Sequence, residues 1–433
     1  MTETRIVILG GGFGGVTAAR EVTRTAKEAG QRVRVTLVDR RNYTLFTPML
    51  PEVGTGLLDG RHLSRSLRDA TRGDDVRVMR ASVTGLDATA RVVATDAGPV
   101  PYDQLVIALG ATTNFFGMAD VEAVALTFKD LPDAARFHDR VLAMLGTADR
   151  EPDAAVRREL LGFVVAGGGL TGVELAAELA DFLTDAMRRE HPRLRRDEAQ
   201  ITLIEAMPAL LPGMKPAVQE RVRVRLEAKG VRVLLGQPVT GADDRAVTTE
   251  AAGAICARTL VWTAGIAANP LLAQFPFERG RGGRILCDAT TQITGWPGHY
   301  ALGDCAHVTS TLTQKPYAQS AQIAEREAKH LAANIVRGLR GEPLAPFVYD
   351  PVGVLISLGN GESIVDTPRF TLGGLPGFLA WKGVYLAKLP GWRNRAGVLS
   401  RWLTGAVRGR DTTRHDPATA PKSPAPVPVA AGK

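Results

Sequence analysis

Cysteine is nearly missing from this chain. Cys256, Cys287 and Cys305 are the only three, widely spaced and without a CxxC pair. That excludes a disulfide framework, a paired-thiol metal site and a dithiol relay, and a reducing, cytosolic setting is the expectation. Long apolar runs are missing too: none approaches the ~20 residues a spanning helix needs, so no transmembrane helix is expected. A strand pattern begins at Arg5, so no cleavable leader is expected. Acidic residues are absent from 376–410, where Lys382, Lys388, Arg393, Arg395, Arg401, Arg408 and Arg410 stand unopposed. Those residues account for nearly all of the formal net charge of +8. The rest of the chain is close to neutral and presents no basic face, so no nucleic-acid partner is expected. An apolar fraction of 45% and a charged fraction of 23% in 433 residues are those of an ordinary globular chain of two or three domains.

Glycine, by contrast, is abundant and patterned. Gly10-Gly11-Gly12-Phe13-Gly14-Gly15 and Gly167-Gly168-Gly169-Leu170-Thr171-Gly172 each follow an apolar run, Arg5–Leu9 and Gly162–Ala166, and each opens an Ala-rich helical pattern. Strand, glycine turn and helix form the context in which such a motif binds a dinucleotide. The glycines let backbone approach a pyrophosphate, and the helix start offers free N–H groups. Each cradle is followed by a strand ending in an acid, Val33–Asp39 and Ile201–Glu205, placed to bond a ribose. The spacing to both acids exceeds the usual ~20 residues; an insertion around His191-Pro192-Arg193 accounts for the second.

Two further strand patterns, Tyr102–Ala111 with its turn at Gly110 and Thr259–Gly265, close the two modules. The second module therefore reads as an insertion in the first. The expected class is α/β with two Rossmann-like domains. Tyr300–Ala306 follows, with Gly303-Asp304-Cys305 at a strand end, then a helical pattern from about Pro316 to Arg337. Residues 411–433 are rich in Pro and Ala without apolar periodicity and read as a disordered tail.

Together, ILGGGFGG, VDRRNYTLFTPML, LVIALGATTNFFG, VVAGGGLTGVELAAEL, LIEA, VWTAGI and ALGDCA resemble the pyridine nucleotide-disulfide oxidoreductase superfamily without its redox disulfide. Within it, the chain resembles the type II NADH dehydrogenases, single-subunit NADH:quinone oxidoreductases. The resemblance runs from Arg5 to about Arg410. It implies FAD on Gly10, Gly12, Phe13, Gly14 and Gly15, with Asp39 on its ribose. It also implies that Arg40, Asn42 and Thr47 lie in the flavin loop, Gly110 beside it, Asp304 on the ribityl chain, and Ala321 and Gln322 at the next helix start. NADH is implied on Gly167, Gly169, Leu170, Thr171 and Gly172, with Gly265 nearby. Glu205 is implied on its ribose, where a carboxylate repels a 2′-phosphate and favours NADH over NADPH. Glu174 would stand at the nicotinamide–flavin junction for proton supply or quinone positioning, while Glu178 reads as a surface or ion-pair residue. Arg326 and Glu327 fall where the related AQxAxQQ or AQxAxQE motif meets the quinone, and Arg326 departs from it. The implied partition is an FAD-binding domain at 1–161 and 281–340, an NADH-binding domain at 162–280, a membrane-docking region at 341–410 and the tail.

The implied activity is non-pumping hydride transfer from NADH to FAD and two-electron reduction of a membrane quinone in a respiratory chain. Phe378, Trp381, Tyr385, Leu389 and Trp392 recur at helical spacing among the basic residues of 376–410. That is the pattern of a helix lying in an anionic membrane interface. The same stripe also suits packing on the body or on a second copy, which leaves a homodimer open. A peripheral position on the cytoplasmic face of the cell membrane is expected. Two alternatives stand beside this reading: a related flavoprotein with another acceptor, or a low-turnover flavin- and NAD-binding regulator.

Overall fold

A computed structural model describes residues 3–350 and 352–414. Two five-stranded parallel sheets organise the body. The first runs His299–Ala301, Gln104–Ile107, Thr4–Leu9, Val33–Asp39, Val76–Arg80 from edge to edge. Its register places Ile8 between Leu37 and Val106. The second runs Leu126–Thr127, Thr259–Trp262, Gly162–Ala166, Gln200–Glu205, Val231–Leu235, with Val164 between Thr202 and Leu260. Both faces of each sheet are covered, which is why the central strands read as unbroken apolar runs rather than alternating ones.

The modules repeat each other further than the cradles suggest. Each carries a three-stranded antiparallel flap, formed by Val83–Asp87, Val92–Thr95 and Val100–Pro101 in one. Its counterpart is Val239–Ala242, Ala246–Thr249 and Gly253–Cys256. The chain leaves the first module through Ala111–Thr113 and returns through Ile266–Ala268, and these two crossings pair antiparallel. The second module is therefore an insertion, as the sequence implied. Its start lies earlier than residue 162: Leu126–Thr127 pairs with Thr259–Trp262, and helix Leu131–Ala148 leads on to helix Ala154–Leu160 at its side. A two-residue edge strand gives no periodic signal, so the sequence boundary fell on the next full strand.

The C-terminal region is an antiparallel sheet of Val354–Ser357, Ser363–Asp366 and Thr371–Leu372, then helices Gly374–Lys388 and Trp392–Arg408. It is built into the body rather than appended to it. Trp381, Leu389 and Val398 share one buried cluster with Phe46, Met49 and Leu50 of the first module and Phe182 and Leu183 of the second. Residues 411–414 continue along the body, with the Asp411 N–H donating to Gly56 O at 2.8 Å. The expected disordered tail otherwise lies outside the described residues, since it falls on 415–433.

Candidate functional site

The two cradles are near copies. Helices Phe13–Glu28 and Leu170–Glu190 start after Gly12 and Gly169, both in extended backbone (φ −77°, ψ −167° and φ −73°, ψ −176°). Neither start has a side-chain cap, whereas Asp130, Asp153 and Ser320 cap other helices of this protein. Other helix starts are uncapped too, Gly374–Lys388 and Trp392–Arg408 among them, but at the cradles the free N–H groups stand beside a glycine turn, where an anion could use them. Gly10 and Gly167 take φ of +104° and +112°. A Cβ on Gly15 would stand 1.8 Å from Gly10 O, and one on Gly172 1.8 Å from Gly167 O. A Cβ built on Gly12 or Gly169 would meet no atom of the described residues within 4 Å. The turns are therefore closed where strand meets helix and open where a pyrophosphate would lie.

The acids close each cradle in the same way. Asp39 accepts the Gly11 N–H at 2.6 Å and the Arg41 N–H at 2.7 Å. Glu205 accepts the Gly168 N–H at 2.6 Å and the Met207 N–H at 2.8 Å. Leu170 and Thr171 are exposed at the mouth of the second cradle. Gly265 lies across from them, its O accepting the Asn114 N–H, with no room for a Cβ against the Phe116 ring.

Around the first cradle, Arg40, Asn42 and Thr47 are exposed on the loop after Asp39, and Gly110 turns at φ +68° beside it. Phe13 is half-buried against Phe46, 5.8 Å between ring centres. Asp304 lies in the one-turn helix Gly303–Cys305, and burial raises its carboxyl while Lys129 and Arg284 draw it back. Helix Ala321–Leu339 starts here under a Ser320 cap, later than the Pro316 of the sequence pattern, and brings Ala321 and Gln322 to this end. Glu327, 2% exposed, accepts the Gly303 N–H at 2.6 Å. Burial lifts it to about 8 against a pull from Gly303 N–H and Arg284. Cys305 is buried with its thiol towards Leu302 O and Ile107 O, and all three cysteines are free.

A second group of acids gathers between the modules. Glu174 stands on the second cradle helix, 7% exposed, and accepts the Ser357 N–H of the C-terminal sheet at 2.9 Å. Glu52, on the short helix Leu50–Gly54, is 4% exposed and accepts the Trp402 indole N–H at 3.2 Å. Burial pushes each up to about 8. The neighbouring Glu178 raises both further, while Ser357 N–H restrains Glu174 and Trp402, Lys382 and Arg410 restrain Glu52. Tyr385 lies over this group and stacks edge-on against Phe46 at 5.7 Å, so an aromatic line joins Phe13 to the C-terminal helices. Burial thereby favours the protonated form of both acids, where the second cradle helix and the helix Leu50–Gly54 meet the C-terminal region.

Comparison with known proteins gives this geometry a family. Residues 4–328 match the pyridine nucleotide-disulphide oxidoreductase family and residues 352–411 the NDH2 C-terminal domain. A type II NADH:quinone oxidoreductase of Mycobacterium tuberculosis, NdhA, is 30% identical over 94% of this chain and 88% of its own length. The chain belongs to the type II NADH:quinone oxidoreductase family. A probable NADH dehydrogenase of Dictyostelium discoideum is 29% identical over 94% of this chain and 90% of its own. The structure of NDH2 from Plasmodium falciparum in complex with NADH has the same fold, with a TM-score of 0.86 over 95% of this chain and 99% of that one at 22% identity. Membership brings the cofactor pair FAD and NADH, and the two open cradles fit two dinucleotides.

Arg326, on the helix at 321–339, is exposed, and its guanidinium lies over the Tyr349 ring at 5.6 Å. Glu327 contacts backbone and holds the Gly303 turn. Glu178 is an ion-pair residue as read, but a deeply buried one, bonded to Arg410 at 2.6 Å.

The membrane stripe needs a sharper correction. Trp381 and Leu389 are buried, and Phe378 and Tyr385 are half-buried, so that face packs on the body. The outward apolar residues are Leu375, Leu379 and Val384 on one helix and Trp392, Leu399 and Leu403 on the next. Several of the basic residues are also engaged. Arg395 caps carbonyls of Leu389 and Ala387, Arg401 bonds Leu57 O at 3.0 Å, and Arg410 is buried. Sequence reasoning missed Glu52, although it is the one charged residue in the apolar stretch Leu45–Leu58, which is a signal in itself. It also missed Lys129, Arg284 and Arg410.

Proposed function

We propose that this chain is a peripheral membrane NADH:quinone oxidoreductase, with FAD seated on the first cradle and NADH exchanging on the second. The observation that carries the reading is the helix Leu170–Glu190: it starts at the open second cradle and delivers Glu174 to a junction with the flavin loop and the C-terminal helices. Bound FAD supplies the hydride acceptance and two-electron donation. The chain supplies the rest. Asp39 and Glu205 have lone pairs left for ribose hydroxyls, and Glu205 disfavours a 2′-phosphate. Asp304, drawn between Lys129 and Arg284, would bond the ribityl chain of bound FAD. Glu174 and Glu52 hold a proton at neutral pH in a dry site, ready for a quinone oxygen.

The membrane reading rests on the outward surface of the last two helices. On Gly374–Lys388 the inward and outward faces are both apolar, so burial of one leaves the other to a non-aqueous neighbour. On Trp392–Arg408 the exposed residues Trp392, Ala396, Leu399 and Leu403 recur at i, i+4, i+7 and i+11, with Arg393 and Arg395 beside them. Apolar residues rimmed by cations fit an anionic bilayer surface. No helix among the described residues is long and apolar enough to cross a membrane. Purified protein is expected to oxidise NADH at a rate that rises with added ubiquinone or menaquinone analogue and saturates. NADH oxidation indifferent to every quinone tried would overturn the proposal.

A further inference from the structure

Beside Glu174, one helical turn on, lies a carboxylate in a different state. Glu178 and Arg410 are bonded at 2.6 Å, with side chains 3% and 4% exposed. Arg410 belongs to the segment after the last helix. Its guanidinium also donates to Thr55 Oγ1 at 2.7 Å, and its N–H donates to Asp185 at 2.9 Å while Arg189 holds its carbonyl. Glu174 and Glu52 have no such cation bonded to them; their donors are Ser357 N–H and the Trp402 indole.

The other charges nearby are accounted for. Asp181, 4.0 Å from Arg410, is bonded to Lys229 at 2.6 Å. Lys382, over the Phe378 and Trp402 rings, also faces Glu52 and Glu178, and Tyr385 faces Glu174 and Glu52. His138 stacks on Phe182 and faces Asp411 and Asp139. A carboxylate this buried stays ionised only with a cation on it.

We propose that Arg410 is a positioning residue for quinone reduction. By pairing with the buried Glu178, it fixes a carboxylate one helical turn from Glu174, and that charge favours the proton on Glu174. Proton delivery is thereby tied to the seating of the C-terminal segment. NADH brings two electrons and one proton; the quinol's second proton is the one Glu174 holds, replaced from water. The inference rests on the proposed quinone reduction and on Glu174 as its proton source.

The test uses the FAD-loaded protein, reduced with NADH without oxygen and then mixed with a short-chain ubiquinone analogue between pH 5.5 and 9.5. In the wild type the reoxidation rate falls as pH rises through about 8, where Glu174 and Glu52 lose their proton. In Glu178→Gln the repulsion is gone, and the fall comes about one pH unit lower. Arg410→Gln, which leaves the buried Glu178 without its cation, displaces the profile as well. Arg410→Lys restores the wild-type profile. The rate of flavin reduction by NADH stays within about twofold in all three, which a general loss of structure would not allow. A reoxidation profile unmoved in Glu178→Gln overturns the inference even if Arg410→Gln fails to fold, since Glu178→Gln keeps the Arg410 contacts to Thr55. A wild-type rate with no dependence on pH near 8 overturns the role of Glu174, and no reoxidation by quinone overturns the proposed function itself.

Discussion

Gly12 and Gly15 are three residues apart and do different things. Alanine at Gly15 collides with Gly10 O, while alanine at Gly12 meets no atom of the described residues and suits the backbone there. Gly15→Ala is therefore expected to lower the melting temperature of flavin-free protein, and Gly12→Ala to leave it unchanged yet lose bound flavin. Absorbance near 450 nm against protein concentration, with a thermal melt of the stripped protein, checks both; full flavin content in Gly12→Ala contradicts the seat. Glu205→Gln keeps an acceptor for Gly168 N–H but removes the charge, so the preference for NADH over NADPH in kcat/KM should narrow by about tenfold or more. An unchanged ratio would mean that the ribose lies elsewhere. At this scale the cradles and their acids were legible because motif and chain direction fix them together. Glu52 and Arg410 were not, because their meaning lies in partners hundreds of residues away.

Among the elements, the parallel strands and cradle helices were read correctly from apolar runs and glycine turns. The last two helices were found in the sequence, but within the stripe assigned to the membrane Trp381 and Leu389 turn towards the body, while Trp392 faces outward. On a helix apolar all round, periodicity of aromatics says which residues are large, not which way they face. Large residues went inward here, since Trp381 is 1% exposed against Tyr385 and Trp402. Trp381→Ala should thus destabilise the fold by about 3–5 kcal/mol, measured by urea denaturation. Leu399→Asp with Leu403→Asp should leave the urea midpoint within error and abolish co-sedimentation with anionic vesicles. Wild-type vesicle binding by the double variant would remove this surface as the dock.

Over the whole molecule, the architecture joins two near copies through a pair of antiparallel crossings, with a C-terminal region seated across both. The insertion was legible in the order of motifs. The gathering of acids at the seam was not, because it depends on how three elements meet. It has a consequence for stability. Glu52, Glu174 and Glu327 stand at about 8 against an ordinary 4.5, so they stay protonated in the fold while the unfolded chain ionises. Their contribution is complete below about pH 4.5 and is lost progressively as pH rises to about 8. Glu327→Gln should lessen the drop in urea midpoint between pH 5 and pH 8, and an identical drop in the variant would contradict the raised carboxyl.

Two seats that pass electrons in order are what this protein must have to act as a quinone reductase. The direct measurement is the flavin spectrum of purified protein under anaerobic conditions, first with one equivalent of NADH and then with one equivalent of a quinone analogue. The predicted result is one FAD per chain, bleaching on NADH and full recovery on quinone. Bleaching without recovery, or no bleaching at all, would contradict it.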